Sequence, residues 1–337
     1  MKRNQCDPPS SVRAQGLALF VLLPVLAGCD GVQSALAPAG EDASVLATLF
    51  WVMLIGAVVL FTLMNGLFFY LTRIRVHAQS ETVARWLMIG GGIVLPVVVV
   101  GTLLVWGLSI LPDHRQGGDG LRIHVTGEQW WWRVEYWPEG ADEPVIAANE
   151  IRFPAGERTE LVLESAHVIH SFWIPALGGK MDMFPGRETF LSLRPTRPGT
   201  FRGQCAEFCG ASHTWMAFDA HVMEPDAFDD WLAAQTEDAA APASAAAERG
   251  AELFGREGCG ACHAIRGTDH VGTVGPDLTH IGSRTTLAAG RLGVSQSDFQ
   301  DWIAHPDALK PGVEMPPFDH LSDDEISDLA RYLRGLE

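Results

Sequence analysis

A chain of 337 residues with 47% hydrophobic content is long enough for two or three domains and is compatible with both globular cores and membrane spans. Its 24 Lys and Arg face 41 Asp and Glu, a formal charge of −17, which argues against nucleic acid as a partner because phosphate binding needs clustered bases. Six cysteines are too few for a disulfide scaffold of this length, so each is judged by its neighbours.

In chain order, Lys2, Arg3 and Arg13 precede the apolar run "GLALFVLLPVLAGC", which reads as an export signal over residues 1–28. Its end, "LAGC", resembles a bacterial lipobox, implying cleavage before Cys29 and a lipid on that cysteine; the alternative is an ordinary signal peptide or an uncleaved anchor. Within residues 29–112 no charge falls between Asp42 and Arg73, nor between Arg85 and Asp113. Both gaps exceed the ~20 residues that cross a bilayer, so two transmembrane helices are predicted, about 44–72 and 84–111. Their joining loop carries Arg73, Arg75 and Arg85 against the single acid Glu81. By the positive-inside rule that loop is cytoplasmic, and everything after Asp113 lies outside.

From 113 to 232 the pattern changes to alternation, as in "LRIHVTGEQWWWRVEYW", followed by short β-rich runs between Pro and Gly signals. This predicts a β-sandwich or barrel. Residues 233–247 are alanine-rich without apolar periodicity and read as a linker, on which a third domain, 248–337, could shift by roughly 20 Å. That domain reads as helices bracketing a Gly/Pro-rich middle, the last helix starting with a capping box of Ser322 and Glu325.

"QCAEFCGASHTWMAF" packs Cys205, Glu207, Cys209, His213 and Met216 into one short loop. In an exported protein the cysteines are either a disulfide or ligands, and thiolate with thioether favours copper over zinc. The loop, with "HVIHSFWIPALGGKMDMFPGR", "GEQWWWRVEY" and the paired membrane helices, resembles cytochrome c oxidase subunit II. The resemblance implies a cupredoxin-like β-barrel with a dinuclear copper centre, CuA. It assigns bridging thiolates to Cys205 and Cys209, imidazoles to His170 and His213, a weak sulfur to Met216 and a backbone carbonyl to Glu207. Spacing alone does not separate His167 from His170. The resemblance further implies that the Glu207 carboxylate binds magnesium against oxidase subunit I, the plain alternative being a solvated glutamate. Three successive Trp cannot share one strand face, so some of this aromatic surface is exposed or at an interface. The resemblance makes Trp130 an electron relay to the copper, while Glu128 stands where the family more often has His.

"CGACH" fits the C-x-x-C-H pattern for covalent haem, with thioethers from Cys259 and Cys262 and His263 beneath the iron. Met315 is the only methionine after Met223 and the expected opposite ligand, against His270, His280, His305 and His320. "GPDLTHIGSR" and "MPPF" resemble class I cytochrome c, an all-α fold, and subunit II fused to it is the arrangement of caa3-type oxidases. The implied route runs from an external donor through haem c and copper to subunit I, where oxygen is reduced and protons are pumped, with subunit III a further partner. From Asp113 onward 36 acids face 18 bases, a charge of −18 that either steers a basic donor such as a basic cytochrome c or serves solubility alone. The rival readings are the copper subunit of a nitric oxide reductase and a membrane-anchored copper store or delivery protein.

Overall fold

The computed structural model describes residues 31–75, 80–111 and 115–337. Cys29 and the export signal lie outside the described residues. Two long helices, α1 (Glu41–Ile74) and α2 (Glu81–Ser109), meet the charge-free stretches; α1 overruns both predicted bounds, while α2 starts earlier and ends slightly earlier than predicted. At ~1.5 Å rise per residue both exceed a ~30 Å hydrocarbon core. Their apolar side chains, Phe61 and Val105 among them, are exposed along most of their length, as expected of a surface made for lipid or partner helices.

The middle of the chain forms two five-stranded sheets. One has the order β3-β2-β1-β5-β8 and the other β4-β10-β9-β6-β7. In the first, β1 (Leu121–Gly127) pairs antiparallel with β2 (Trp132–Pro138) and parallel with β5 (Thr159–Ser165); β3 (Val145–Ala148) and β8 (Thr189–Leu193) are its edges. In the second, β10 (Ala217–Met223) runs parallel to β4 (Glu150–Pro154) and antiparallel to β9 (Gly199–Cys205). Strand β6 (His170–Trp173) pairs with β9 and with β7 (Met181–Met183). The alternation seen in the sequence aims Ile123, Val125, Trp132, Val134 and Tyr136 inward. Trp132 stands edge-on to Phe172 and Phe218, at 5.8 and 5.2 Å, and those two rings stack at 5.0 Å. Each such pair adds about 1 kcal/mol beyond burial.

The barrel is stitched to the start of α1. Ala39 donates to Ala176 O at 2.7 Å and its carbonyl accepts from Thr196; Asp42 accepts from Arg194 N at 3.0 Å and pairs with Arg158 at 3.4 Å. The short helix α3 (Pro225–Ala234) closes the barrel, with Phe228 and Trp231 against Tyr136.

The C-terminal domain packs α4 (Ala245–Arg256) against α7 (Asp323–Arg334), with α5 (Gln296–Ala304) and the single turn α6 (Pro306–Leu309) beside them. Phe254, Ile265, Phe299, Leu329 and Leu333 form its core. The expected capping box is present: Ser322 accepts from Glu325 N, and Glu325 accepts from Ser322 N at 3.1 Å.

The alanine-rich stretch departs from expectation. Residues 233–234 finish α3 and 245–247 open α4, leaving a shorter connection. That connection is tied to the third domain by backbone groups its composition does not advertise. Arg266 donates to Gln235 O at 2.5 Å and Glu237 O at 2.6 Å, His280 bonds Glu237 O at 3.1 Å, and Ala239 N donates to Arg266 O. The third domain rests on the barrel instead of hanging from a free tether.

Glu150 anchors one side of that seam. It is buried, faces His221 and Arg152, and accepts from the Thr285 backbone N–H and, at 2.9 Å, from its hydroxyl; that hydroxyl also reaches Asp219 at 2.8 Å. Burial works to raise its pKa, but the nearby His221 ring, 3.7 Å away, and the Thr285 hydrogen bonds outweigh it and hold the carboxyl at about 2. Because the folded value lies below the unfolded one, the stabilisation, about 3 kcal/mol, is complete above roughly pH 5 and is lost as pH falls towards 2. Glu150→Gln is expected to melt earlier than the parent at pH 7, and the gap should close as pH drops from 5 towards 2. Thermal unfolding followed at the haem absorption band checks this; a gap that widens in acid contradicts it.

Candidate metal centres

Strand β9 ends at Cys205 and β10 begins at Ala217, so the sulfur-rich segment is the loop between two paired strands. The pairing of Phe172 with Cys205 sets the start of β6 beside that loop, bringing His170 to the sulfurs from 35 residues away. Two backbone bonds fix the loop's ends: Cys205 N to Met216 O and Ala206 N to Ser171 O, both 2.9 Å.

All six expected ligands converge. Cys205 Sγ lies 3.8 Å from Cys209 Sγ, 3.7 Å from His170 Nδ1 and 3.1 Å from the Glu207 carbonyl. Cys209 Sγ lies 3.5 Å from His213 Nδ1 and 3.9 Å from Met216 Sδ. Neither cysteine is in a disulfide, and His170, Cys205 and Cys209 are buried with their donor atoms within 4.8 Å of one another. The hydrogen bond with Cys209, helped by His170, lowers the Cys205 thiol, while that same bond and burial raise Cys209. Two sulfurs between two imidazoles, with a thioether and a carbonyl at the flanks, fit a pair of soft metal ions and suit copper. His167 is exposed and outside the cluster. The Glu207 side chain is also exposed, separate from its inward carbonyl.

The C-x-x-C-H segment lies on an apolar cavity of about 280 Å³ whose lining includes Cys259, Cys262, His263, Pro276 and Met315. His263 Nδ1 donates to Pro276 O at 2.7 Å, leaving Nε2 as the ring's free ligand atom. Burial lowers the His263 pKa, which favours the neutral imidazole a metal needs. The ring lies flat on Gly275, where an added Cβ would sit 2.5 Å from it, so only glycine leaves room. The rival histidines are absent from the lining. His280 is bound to Glu237, His320 pairs with Glu257 at 3.1 Å, His270 packs on Phe254 at 4.9 Å and His305 is exposed. Two free thiols, a held imidazole and a thioether on one apolar cavity fit covalent haem.

Trp130 links the two sites. It is 7% exposed and lines that apolar cavity, while its indole N–H donates to Cys209 O at 2.9 Å. Trp132 is core, directly beneath His170 at 6.3 Å, and Trp131 carries Arg133 over its ring at 4.8 Å. Glu128 pairs with that arginine at 3.2 Å.

Sequence reasoning missed Lys310. This residue of the C-terminal domain is 2% exposed, and its ammonium donates to Trp130 O at 2.6 Å and Ala288 O at 2.8 Å. Burial lowers its pKa to about 7. The available signal was its rarity: the chain has only three lysines among 24 basic residues, and this one sits in the Pro-rich segment "ALKPGVEMPP".

The sequence profile of "Cytochrome C oxidase subunit II, periplasmic domain" matches residues 139–223, and that of "Cytochrome c" matches 247–337. "Cytochrome c oxidase subunit 2" of Bacillus subtilis is 31% identical, over 95% of this chain and 97% of its own length. The protein of the same description from Alkalihalophilus pseudofirmus is 34% identical, over 78% of this chain and 75% of its own. Among solved structures, the periplasmic domain of subunit II of cytochrome oxidase from Bradyrhizobium japonicum is 29% identical. The match covers 35% of this chain and 94% of that one, with a TM-score of 0.31. The cupredoxin-like domain implies CuA and the cytochrome domain implies haem c. This chain belongs to the cytochrome c oxidase subunit II family in its form fused to cytochrome c, and is the electron-transfer subunit of a haem-copper terminal oxidase whose oxygen chemistry lies in subunit I.

Proposed function

We propose a residue-level route for that electron transfer. Cys259 and Cys262 attach the haem, His263 and Met315 ligate its iron, and Trp130 carries electrons to a copper pair held by His170, Cys205, Glu207 O, Cys209, His213 and Met216. The observation that carries the reading is the double attachment of Trp130, its ring on the haem cavity and its N–H on the carbonyl of a copper ligand. Cys205 and Cys209, with the other four donors, would hold the copper pair, which would supply a one-electron relay at fixed protein geometry. The protein's share is to keep both centres dry and fixed.

The remaining elements follow from charge and exposure. The exposed Glu207 carboxylate suits a magnesium ion at the face towards subunit I. The two apolar helices anchor the chain in the bacterial cell membrane, with Arg73, Arg75 and Arg85 inside and the copper and haem domains outside; a lipid on Cys29 adds a second anchor. Subunit III joins the same complex, and the acidic exterior steers a basic donor to the haem.

Trp130→Phe tests the route. It removes the indole N–H and shortens the ring while leaving the ligands in place. Haem-to-copper electron transfer after flash reduction is expected to slow by about tenfold or more with both metal spectra unchanged. Parental kinetics would remove Trp130 from the path.

A further inference from the structure

The seam between the two redox domains is made by the loop that also carries the Met315 ligand. Three consecutive residues of this loop touch the copper domain. Lys310 donates to Trp130 O, Pro311 O accepts from Ser212 Oγ at 2.7 Å beside His213, and Gly312 lies against the Trp130 ring. A Cβ on Gly312 would stand 3.0 Å from that ring, as would one on Gly210 of the copper loop. The indole is wedged between the two ligand-bearing loops.

The second acceptor of Lys310 is costly to present. Ala288, Ala289 and Gly290 have φ of 53°, 60° and 78°, a run of left-handed residues of which only the last is glycine. This bend turns the Ala288 carbonyl to Lys310 and lets the Ala289 carbonyl accept from Ala217 N at 3.0 Å, across the seam. Arg291 then covers Trp215 at 4.1 Å. An apolar side chain would fill the Lys310 site without the cost of burying an ammonium, but it would not draw two carbonyls from two domains together.

We propose that Lys310 is a positioning residue for transfer between haem and copper, its ammonium clamping the backbone of Trp130 so that the indole stays wedged between the copper loop and the Met315 loop. The inference rests on the Trp130 route and adds what holds that route in register. The indole is only 7% exposed, so an outside donor has little direct access to it.

The test is Lys310→Met in the assembled oxidase, which keeps length and loses both hydrogen bonds, alongside Lys310→Arg and Trp130→Phe. With haem spectrum, copper resonance and both midpoint potentials at parental values, Lys310→Met is expected to slow flash-initiated haem-to-copper transfer by about tenfold, within the roughly 100-fold that a 1 Å misplacement can cost. Lys310→Arg, which restores donors, should recover most of the rate. A Lys310→Met rate within about twofold of the parent overturns the proposal. If Lys310→Met does not assemble, Lys310→Gln, with an uncharged amide on a shorter arm, is read in the same way: an intermediate rate supports the clamp and a parental rate overturns it. Slowing by Trp130→Phe without slowing by the Lys310 variants would sink the clamp alone, whereas parental rates in Trp130→Phe would sink the route beneath it.

Discussion

Cys205→Ser is expected to abolish the mixed-valence copper resonance, leave the haem spectrum intact and cut donor-driven oxygen consumption at least 100-fold, roughly the upper end of what loss of a ligand's supporting partner costs. Serine matches the shape of cysteine, so β9, the bond from residue 205 N to Met216 O and the pairing with Phe172 should survive. What changes is the donor. Cys205 sulfur is the atom that faces Cys209, His170 and the Glu207 carbonyl at once, and a hydroxyl oxygen is both too hard and too weakly acidic to bridge two soft ions. The cytochrome domain has its own core, about Phe254 and Leu329, so its spectrum is an internal control for folding. Two coppers per chain with the resonance preserved would remove Cys205 from the bridge.

Met315→Ala should lower the haem potential by the order of 0.1 V, a modest part of the ~0.8 V that axial ligands span. At ~59 mV per decade for one electron, that makes the haem roughly fifty-fold harder for an external donor to reduce. The thioether is the one sulfur ligand left on the cavity once Cys259 and Cys262 are tied to the porphyrin, and the four neighbouring histidines are engaged or exposed elsewhere. The cysteines and His263 are untouched, so covalent haem should remain, with altered ligand-field bands and open to small external ligands. Spectroelectrochemistry reads both effects. An unaltered ferrous spectrum and potential would mean that another residue completes the iron.

How much of this was legible depended on how local each signal is. The membrane helices were readable because exclusion of charge is a property of contiguous sequence, and the barrel because alternation is. Cys259, Cys262 and His263 fall within five residues, and five of the six proposed copper donors within twelve. His170 was different: only the β6 and β9 pairing brings it to the sulfurs, and His167 competed equally in sequence. Lys310 was invisible for the same reason carried further, since its partner Trp130 lies 180 positions away in another domain. The connection after Trp231 misled because composition reports side chains, whereas Arg266 and His280 hold it by its carbonyls.

The stitching of the barrel to the first turn of α1 sets a compass bearing. Asp42 is held by Arg158 and Arg194 on one side and belongs to a continuous helix on the other, so the barrel turns only when that helix turns. One residue inserted just after Asp42 rotates everything above it by about 100° and lifts it about 1.5 Å relative to the rest of the span. The azimuth at which the copper loop meets its neighbour in the complex is thus written into helical phase, and evolution can lengthen the outer loops of this protein far more freely than it can lengthen that one turn.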